Sequence, residues 1–510
     1  MSRISQTIKN AKIGILYYLA VLAANFFSRK YFLDYLGDEF IGLVSTLRSF
    51  VDFLNLAELG IGTAVGFALY RPLYKKNHSY INEIVGLVGF LYKRIGLFVF
   101  IGGLILSIFF SIIFEKVDIS LFLVYFSFFI FLTNALFGYF FNYHLVLFEA
   151  DQKGYIIISY YQGANLVKLI LQTVLVFYFE SAIVWLLLEF SLSLFYAIMI
   201  RQKVKKEYTW LLLNYKVKKA LSAHKEIVTK IKQTFVHKIS SFVLSSTDQL
   251  LIFSLVNIQS VTFYGNYQLI FLQINALLEN LFKNNGASIG NLVAEGNKKH
   301  IDDIFWELMT LRFLMGGFFS MSLYFLLDSF IVLWIGSKYI LSETILILMS
   351  INFLISQIRK PVENFKNAYG LFADTWAPVV EMIINLVISF YLGSILGIEG
   401  ILYGTLLSVF LIVLIWKPYY LYKYGFQRSF KYYFPKYLKL IFCLVISFII
   451  SRKIIDFLGL SISDFVEWIY AAVLYCLIIL VSYSVPLFLF TKGFRKFLIR
   501  IHELLIRLYK

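Results

Sequence analysis

Apolar stretches of about 20 residues or more, the length an α-helix needs to cross a hydrocarbon core, recur along this chain from Ile13 to Phe490. Backbone in lipid must satisfy its own hydrogen bonds, so a chain of this kind can fold into little other than a bundle of spanning helices. The predicted fold class is therefore all-α, a polytopic membrane protein. Composition agrees, since 60% hydrophobic residues, 15% charged residues and 54 Phe in 510 positions exclude a soluble domain. The run after Arg3, Lys9 and Lys12 resembles a signal peptide, but it ends in Arg29-Lys30 with no small-residue cleavage site and reads as the first span. Cys443 and Cys476 fall in the last two apolar stretches, where a disulfide has little purpose, and read as small buried hydrophobes.

Apolar runs and turn signals predict about fourteen helices, at residues 11–35, 40–70, 84–114, 119–148, 154–179, 181–202, 227–256, 260–292, 302–335, 341–371, 376–396, 398–422, 436–458 and 465–490. A net charge of +17 would invite nucleic acid as a partner, but topology accounts for most of it. With the N-terminus inside, one side collects Arg71, Lys75, Lys76, the cluster from Arg201 to Lys225, Lys298, Lys299, the stretch from Lys417 to Lys439 and the tail from Lys492. The other side holds Asp34, Asp38, Glu39, Glu115, Asp118, Glu180 and Glu399 with few basic residues. This is the positive-inside bias, and it places both termini in the cytoplasm with no nucleic-acid partner expected. The linker 203–226 and the tail KGFRKFLIRIHELLIRLYK interleave basic with aromatic and aliphatic residues, as surface-lying segments attracted to anionic lipid do.

The chain is self-similar at a spacing of about 223 residues. Phe40-Ile41-Gly42 matches Phe263-Tyr264-Gly265, GTAVG (Gly62 to Gly66) matches GASIG (Gly286 to Gly290), and LFEAD ending at Asp151 matches LFAD ending at Asp374. Six predicted helices fit in that spacing, an even number, so the copies share an orientation and would be related by a pseudo-two-fold along the membrane normal. The expected organisation is an N-lobe of six helices (1–202), a basic cytoplasmic linker (203–226), a C-lobe of six helices (227–424), two further helices (425–491) and a basic amphipathic cytoplasmic tail (492–510). The paired GxxxG motifs read as close helix packing, because no Lys-Ser or Lys-Thr follows at phosphate-loop spacing.

A charge at the centre of a span costs about 2.5–3.5 kcal/mol on insertion scales unless it is paired or faces a polar cavity. Lys30 with Asp34, Arg48 with Asp52, Glu279 with Lys283, and Arg359 with Glu363 have the one-turn spacing of self-neutralised pairs, which is the bland reading of each. Arg29 and Lys168 have no carboxylate three or four residues away and need an interhelical partner, water or an anionic ligand. Arg29, Arg48, Lys168, Lys283, Arg359 and Lys360 form a set of cations distributed in depth, suited to a phosphate-bearing headgroup. Pro361 should kink the tenth span beside them. Asp52, Glu58, Asp248, Glu363 and Glu381 could bind a coupling cation, H+ or Na+, or balance the basic residues. Polar residues such as Asn55, Asn134, Gln172, Gln273, Asn280 and Asn385 would set substrate specificity or serve as interhelical hydrogen bonds. The six His are scattered without metal-ligand spacing and there is no Walker motif, so neither catalysis nor a resident cofactor is expected.

ELGIGTAVGFALYRPL (Glu58 to Leu73), FEADQKGY (Phe148 to Tyr155), STDQLLI (Ser246 to Ile252), GNYQLI (Gly265 to Ile270), IGNLVAE (Ile289 to Glu295) and GLFADTW (Gly370 to Trp376) together resemble bacterial polysaccharide biosynthesis proteins of the Wzx type. The resemblance runs from the first span to about Phe426. It implies the multidrug/oligosaccharidyl-lipid/polysaccharide (MOP) exporter superfamily, which includes the lipid II flippase and the multidrug and toxin extrusion transporters. It implies fourteen helices in two lobes around a cationic cavity, with Arg29, Arg48 and Lys283 at the positions matching cavity residues of the lipid II flippase. The implied function is flipping of an undecaprenyl-pyrophosphate-linked oligosaccharide across the bacterial inner membrane by alternating access, with membrane lipids and glycan polymerase machinery as candidate partners. A cation-coupled drug antiporter of the same fold is the alternative, against which the basic residues at depth argue. A membrane glycan polymerase or ligase is a third, against which the short external connections argue.

Overall fold

The structure, a computed structural model, describes residues 3–58, 61–212, 242–243, 246–282 and 285–509. Among these residues every regular element is a helix. In chain order the helices are α1 (Arg3–Leu54), α2 (Ile61–Tyr74), α3 (His78–Ile108), α4 (Leu121–Phe140), α5 (Gly154–Phe179), α6 (Ala182–Glu207), α7 (246–255), α8 (Ile258–Phe282) and α9 (Asn285–Glu295). They continue as α10 (Lys298–Ile335), α11 (Glu343–Ile358), α12 (Lys360–Ala368), α13 (Trp376–Leu396), α14 (Ile398–Gly425), α15 (Tyr433–Leu458), α16 (Phe465–Phe490) and α17 (Lys492–Tyr509). Nine stretches among the described residues, with α11 and α12 taken as one, are long and apolar enough to cross a membrane. The protein is an all-α polytopic membrane protein.

Polar residues punctuate this apolar chain. Asn77, Ser120, Ser181, Asn297, Ser342 and Asp464 accept hydrogen bonds from the exposed N–H groups at the starts of α3, α4, α6, α10, α11 and α16. Gly37, at φ 81° and ψ 159°, breaks α1 between the first and second predicted spans.

Three expectations need correction. The predicted span 40–70 is interrupted, ending at Leu54 and passing through a 3-10 turn, Asn55–Glu58, before α2 begins at Ile61. Side chains from other helices hold the turn, since Tyr139 donates to Asn55 Oδ1 at 2.9 Å and Tyr92 donates to Glu58 at 2.7 Å. The predicted span 260–292 is likewise two helices, α8 and α9, with 283–284 outside the described residues. The third correction concerns the GxxxG pairs, because among the described residues nothing lies within 4 Å of a Cβ placed on Gly62, Gly66, Gly286 or Gly290. The close approach occurs instead at Gly400 and Gly404, where an added Cβ would strike the Leu392 carbonyl and Ser389. Bare backbone there lets α13 and α14 meet, sealed by hydrogen bonds from Ser389 to the Ile401 carbonyl at 2.9 Å and from Asn385 to Thr405 at 3.0 Å.

The chain divides into two compact units, Met1–Thr262 and Phe263–Lys510. In the first, α1 packs on α4 and α5, α5 on α6, and α3 on α2 and α4. The described part of the seventh predicted span also lies here, with Gln249 accepting from Ser49 at 3.1 Å. In the second, α10 packs on α11, α16 and α17 around a core that includes Phe305, Phe313, Phe365, Tyr433 and Tyr483. At 38 residues α10 is about 57 Å long, nearly twice the apolar thickness of a bilayer. Its first turns carry Asp303 and Glu307, which pair with Lys496 at 2.7 Å and Arg500 at 3.1 Å of α17. The basic tail is thus helical and its start is fastened to α10, with Phe494 buried between them.

Candidate functional site

Several of the intramembrane charges among the described residues gather into ion-paired networks within each unit. In the first unit Arg48 on α1 and Lys168 on α5 converge on Glu189 of α6, at 3.2 Å and 3.1 Å. Gln172, one turn beyond Lys168, donates to the second oxygen of Glu189 at 3.4 Å and to the Trp185 carbonyl at 3.1 Å. Phe131 and Trp185 present their rings to the Arg48 guanidinium at 5.1 and 5.9 Å, so aromatic faces as well as a carboxylate hold it. Exposure is uneven, with the Arg48 side chain 48% exposed against 16% for Lys168 and 8% for Glu189. Glu189 is therefore the buried hub, and Arg48 is the arm that reaches out.

In the second unit Glu279 on α8 plays the matching part. Arg312 on α10 and Lys360 on α12 both approach it at 3.5 Å. Arg312 is buried at 4% exposure, stacks its guanidinium 3.9 Å from the Phe282 ring centre, and donates to Gln357 at 2.7 Å. Gln357 in turn donates to Asn275 at 2.6 Å. A second chain follows, in which Arg359 pairs with Glu363 at 3.5 Å and Lys417 of α14 bridges Glu363 and Glu381 at 3.5 and 3.4 Å. Lys417 lies between two π-helical stretches, Phe410–Trp416 and Leu421–Gly425, and directly before Pro418, which cannot donate to the preceding turn.

The ion-paired groups of both networks carry an excess of positive charge. Among the described residues, two cations pair within 4 Å with one carboxylate in the first unit, and four cations with three carboxylates in the second. Charges at this depth are tolerated where they pair or face a polar cavity.

The residues singled out in the sequence divide as follows. Arg48 and Lys168 come together on Glu189, while Arg359 and Lys360 lie in the second network. Arg29 is half-buried on α1, and Lys283 lies outside the described residues. Of the acidic set, Glu363 and Glu381 bind Lys417, Glu58 accepts from Tyr92, Asp248 is buried on α7, and Asp52 is exposed. The Arg359–Glu363 pair forms as the spacing suggests, whereas Arg48 reaches across to α6.

Sequence reasoning missed Glu189, Arg312 and Lys417. Each had a readable signal: Glu189 is the one charge between Ala182 and Ile200, Arg312 stands alone within its apolar run, and Lys417 falls inside the predicted span 398–422. Two quoted motifs turn out to be clasps. In FEADQKGY, Asp151 accepts from Tyr208 at 2.7 Å and pairs with Lys153 at 2.8 Å, and Lys153 also meets Glu207 at 3.1 Å. Burial pulls the Lys153 amine down, but its bonds to Asp151 and Glu207 outweigh this and leave its pKa raised. In GLFADTW, Asp374 holds Lys366, whose amine lies 4.9 Å from the Tyr420 ring centre.

No protein-family model and no characterised protein sequence matches the chain. In fold it is similar to solved transporter structures. The lipid II flippase MurJ in an inward closed conformation superposes with a TM-score of 0.65 at 15% identity, covering 93% of this chain and 99% of that one. An inward-facing multidrug resistance MATE family transporter of the MOP superfamily gives 0.56 at 12% identity, over 81% of this chain and 98% of that one. A mutant form of the Vibrio cholerae MATE transporter VcmN gives 0.55 at 12%, over 83% and 98%. At these identities the likeness is one of fold.

Proposed function

From a chain with the fold of MOP-superfamily transporters and an interior excess of cations, we propose a flippase for a lipid-linked oligosaccharide. It takes an undecaprenyl-pyrophosphate-linked repeat unit at the inner leaflet of a bacterial cytoplasmic membrane and releases it at the outer leaflet by alternating access. The observation that carries this reading is the charge excess of the two networks, Arg48 and Lys168 against Glu189, and Arg312, Lys360, Arg359 and Lys417 against Glu279, Glu363 and Glu381. A diphosphate is bound best opposite Arg and Lys, and Arg48, half exposed and stacked on aromatic rings, is the group best placed to meet one. A drug antiporter of the same fold would carry cationic substrates, which this interior opposes. Energy for net transport would come from a gradient, with H+ or Na+ as the coupling ion, or from the substrate's own concentration difference.

The test is complementation of a flippase-deficient host that expresses the matching glycan locus, comparing wild type with Arg29→Ala and Arg48→Ala at equal membrane expression. Restoration by wild type and loss in Arg48→Ala supports the reading. Full activity of both variants would remove these arginines from the site. Failure of the wild type with its own glycan, accompanied by export of cationic dyes, would establish the antiporter.

A further inference from the structure

The two networks share an arrangement that balancing charge alone does not require: one glutamate straddles two cations contributed by two other helices. Glu189 of α6 holds Arg48 of α1 and Lys168 of α5, and Glu279 of α8 holds Arg312 of α10 and Lys360 of α12. These glutamates do not correspond in the internal repeat, so the arrangement arises separately in each unit. In each case one member is exposed and one of its partners is buried. Arg48 is 48% exposed beside a Glu189 that is 8% exposed, and Glu279 is 40% exposed beside an Arg312 that is 5% exposed. A carboxylate so placed keeps a guanidinium charged, oriented and partly neutralised inside the bundle. It also holds one amino group of that guanidinium, for which a phosphate would compete.

We propose that Glu189 is a built-in rival of the substrate's diphosphate for Arg48. This inference rests on the flippase reading above. Diphosphate entering the site takes over the Arg48 guanidinium, and Glu189 remains satisfied by Lys168 at 3.1 Å and Gln172 at 3.4 Å. Those two partners are what allow the exchange, because a buried carboxylate left alone would be strongly disfavoured. When the diphosphate leaves, Glu189 recovers Arg48. The carboxylate thereby limits how tightly substrate is held and speeds its release, which a carrier needs as much as it needs capture. Glu189 is a positioning residue; in the second unit the exposure is reversed, with Arg312 buried and Glu279 the exposed member.

The experiment measures binding of undecaprenyl diphosphate, and separately of inorganic diphosphate, to the full-length protein in detergent, following the emission of tryptophans that include Trp185. It compares wild type with Glu189→Gln and Glu189→Asp, and adds flipping of a labelled polyprenyl-diphosphate sugar in proteoliposomes. Removing the rival carboxylate should tighten binding by about tenfold, lower the half-saturating concentration and lower the maximal rate. Tightening with both probes assigns the exchange to the diphosphate group itself, and tightening with the lipid alone assigns it to the lipid-borne form. Equal or weaker binding by folded Glu189→Gln, with binding intact in the wild type, overturns the proposal and leaves the flippase reading standing. If Glu189→Gln does not fold, Glu189→Asp, which keeps the charge but shortens its reach to Arg48, decides: binding equal to or weaker than that of wild type overturns the proposal, and tighter binding supports it. Absence of any diphosphate binding by the wild type overturns the flippase reading and this inference with it.

Discussion

His144 shows how one buried side chain ties the stability of this protein to pH. Its imidazole lies fully buried in the turn Tyr143–Leu145, outside the spans, and among the described residues neither ring nitrogen has a hydrogen-bond partner. Burial, and then the positive charge of Arg201, lower its pKa from 6.5 to about 4. The unfolded chain takes up that proton near pH 6.5 and the folded one does not. The stability from keeping His144 neutral is therefore complete above about pH 6.5 and is lost as pH falls toward about 4, with a total of about 3 kcal/mol. Thermal melts in detergent between pH 7 and pH 4.5 should show a steeper loss for wild type than for His144→Phe, and equal slopes would contradict this origin. At the same scale, the intramembrane site was half legible. The need of Lys168 for a partner on another helix follows from its local sequence, but Glu189 is 21 positions away and only the packing of α5 on α6 selects it. A search limited to one helical turn also assigns Arg48 to Asp52, because local spacing cannot show that α6 offers a better-buried carboxylate.

The helices themselves were legible from apolar length, because lipid leaves backbone few alternatives. Their interruptions were not. The turn Asn55–Glu58 is held by Tyr139 and Tyr92 from α4 and α3, and no feature of residues 55–58 alone announces those partners. Small-residue patterns proved equally dependent on context, since among the described residues one GxxxG packs backbones and two others meet nothing within 4 Å of an added Cβ. Gly400→Val and Gly404→Val should each separate α13 from α14 and destabilise the protein by about 1–3 kcal/mol or more, read as a lower melting temperature and loss of monodisperse protein. Gly62→Ala and Gly290→Ala should fold and purify like wild type. The fastening of α17 predicts a smaller effect. Lys496→Glu with Arg500→Glu should increase protease cleavage after Thr491 while shifting the melting temperature little, because partly exposed ion pairs contribute about 0–1 kcal/mol each. Charge reversal of Asp303 and Glu307 should restore protection.

For the whole molecule, the charge asymmetry predicts an orientation that labelling can read. The native thiols interfere little, since Cys443 is buried and Cys476 half-buried, and both can be replaced by Ser. In that background Ser337→Cys, exposed just after α10, should react with a membrane-impermeant maleimide on intact cells. Ser79→Cys and Ser429→Cys, exposed near the starts of α3 and α15, should react only after permeabilisation. The reverse pattern would invert the proposed topology. The helix caps carry a further consequence for the chain's history. Asn77 and Asn297 open α3 and α10, and Ser120 and Ser342 open α4 and α11, at spacings close to the about 223 residues of the internal repeat. Lipid-facing Leu, Ile, Val and Phe replace one another freely, so an ancestral duplication is soon erased across the spans. A cap must keep its hydroxyl or amide oxygen to serve the N–H groups beneath it. Comparisons that weigh these boundary residues above the apolar letters between them would trace common descent in chains whose overall identity has faded to background.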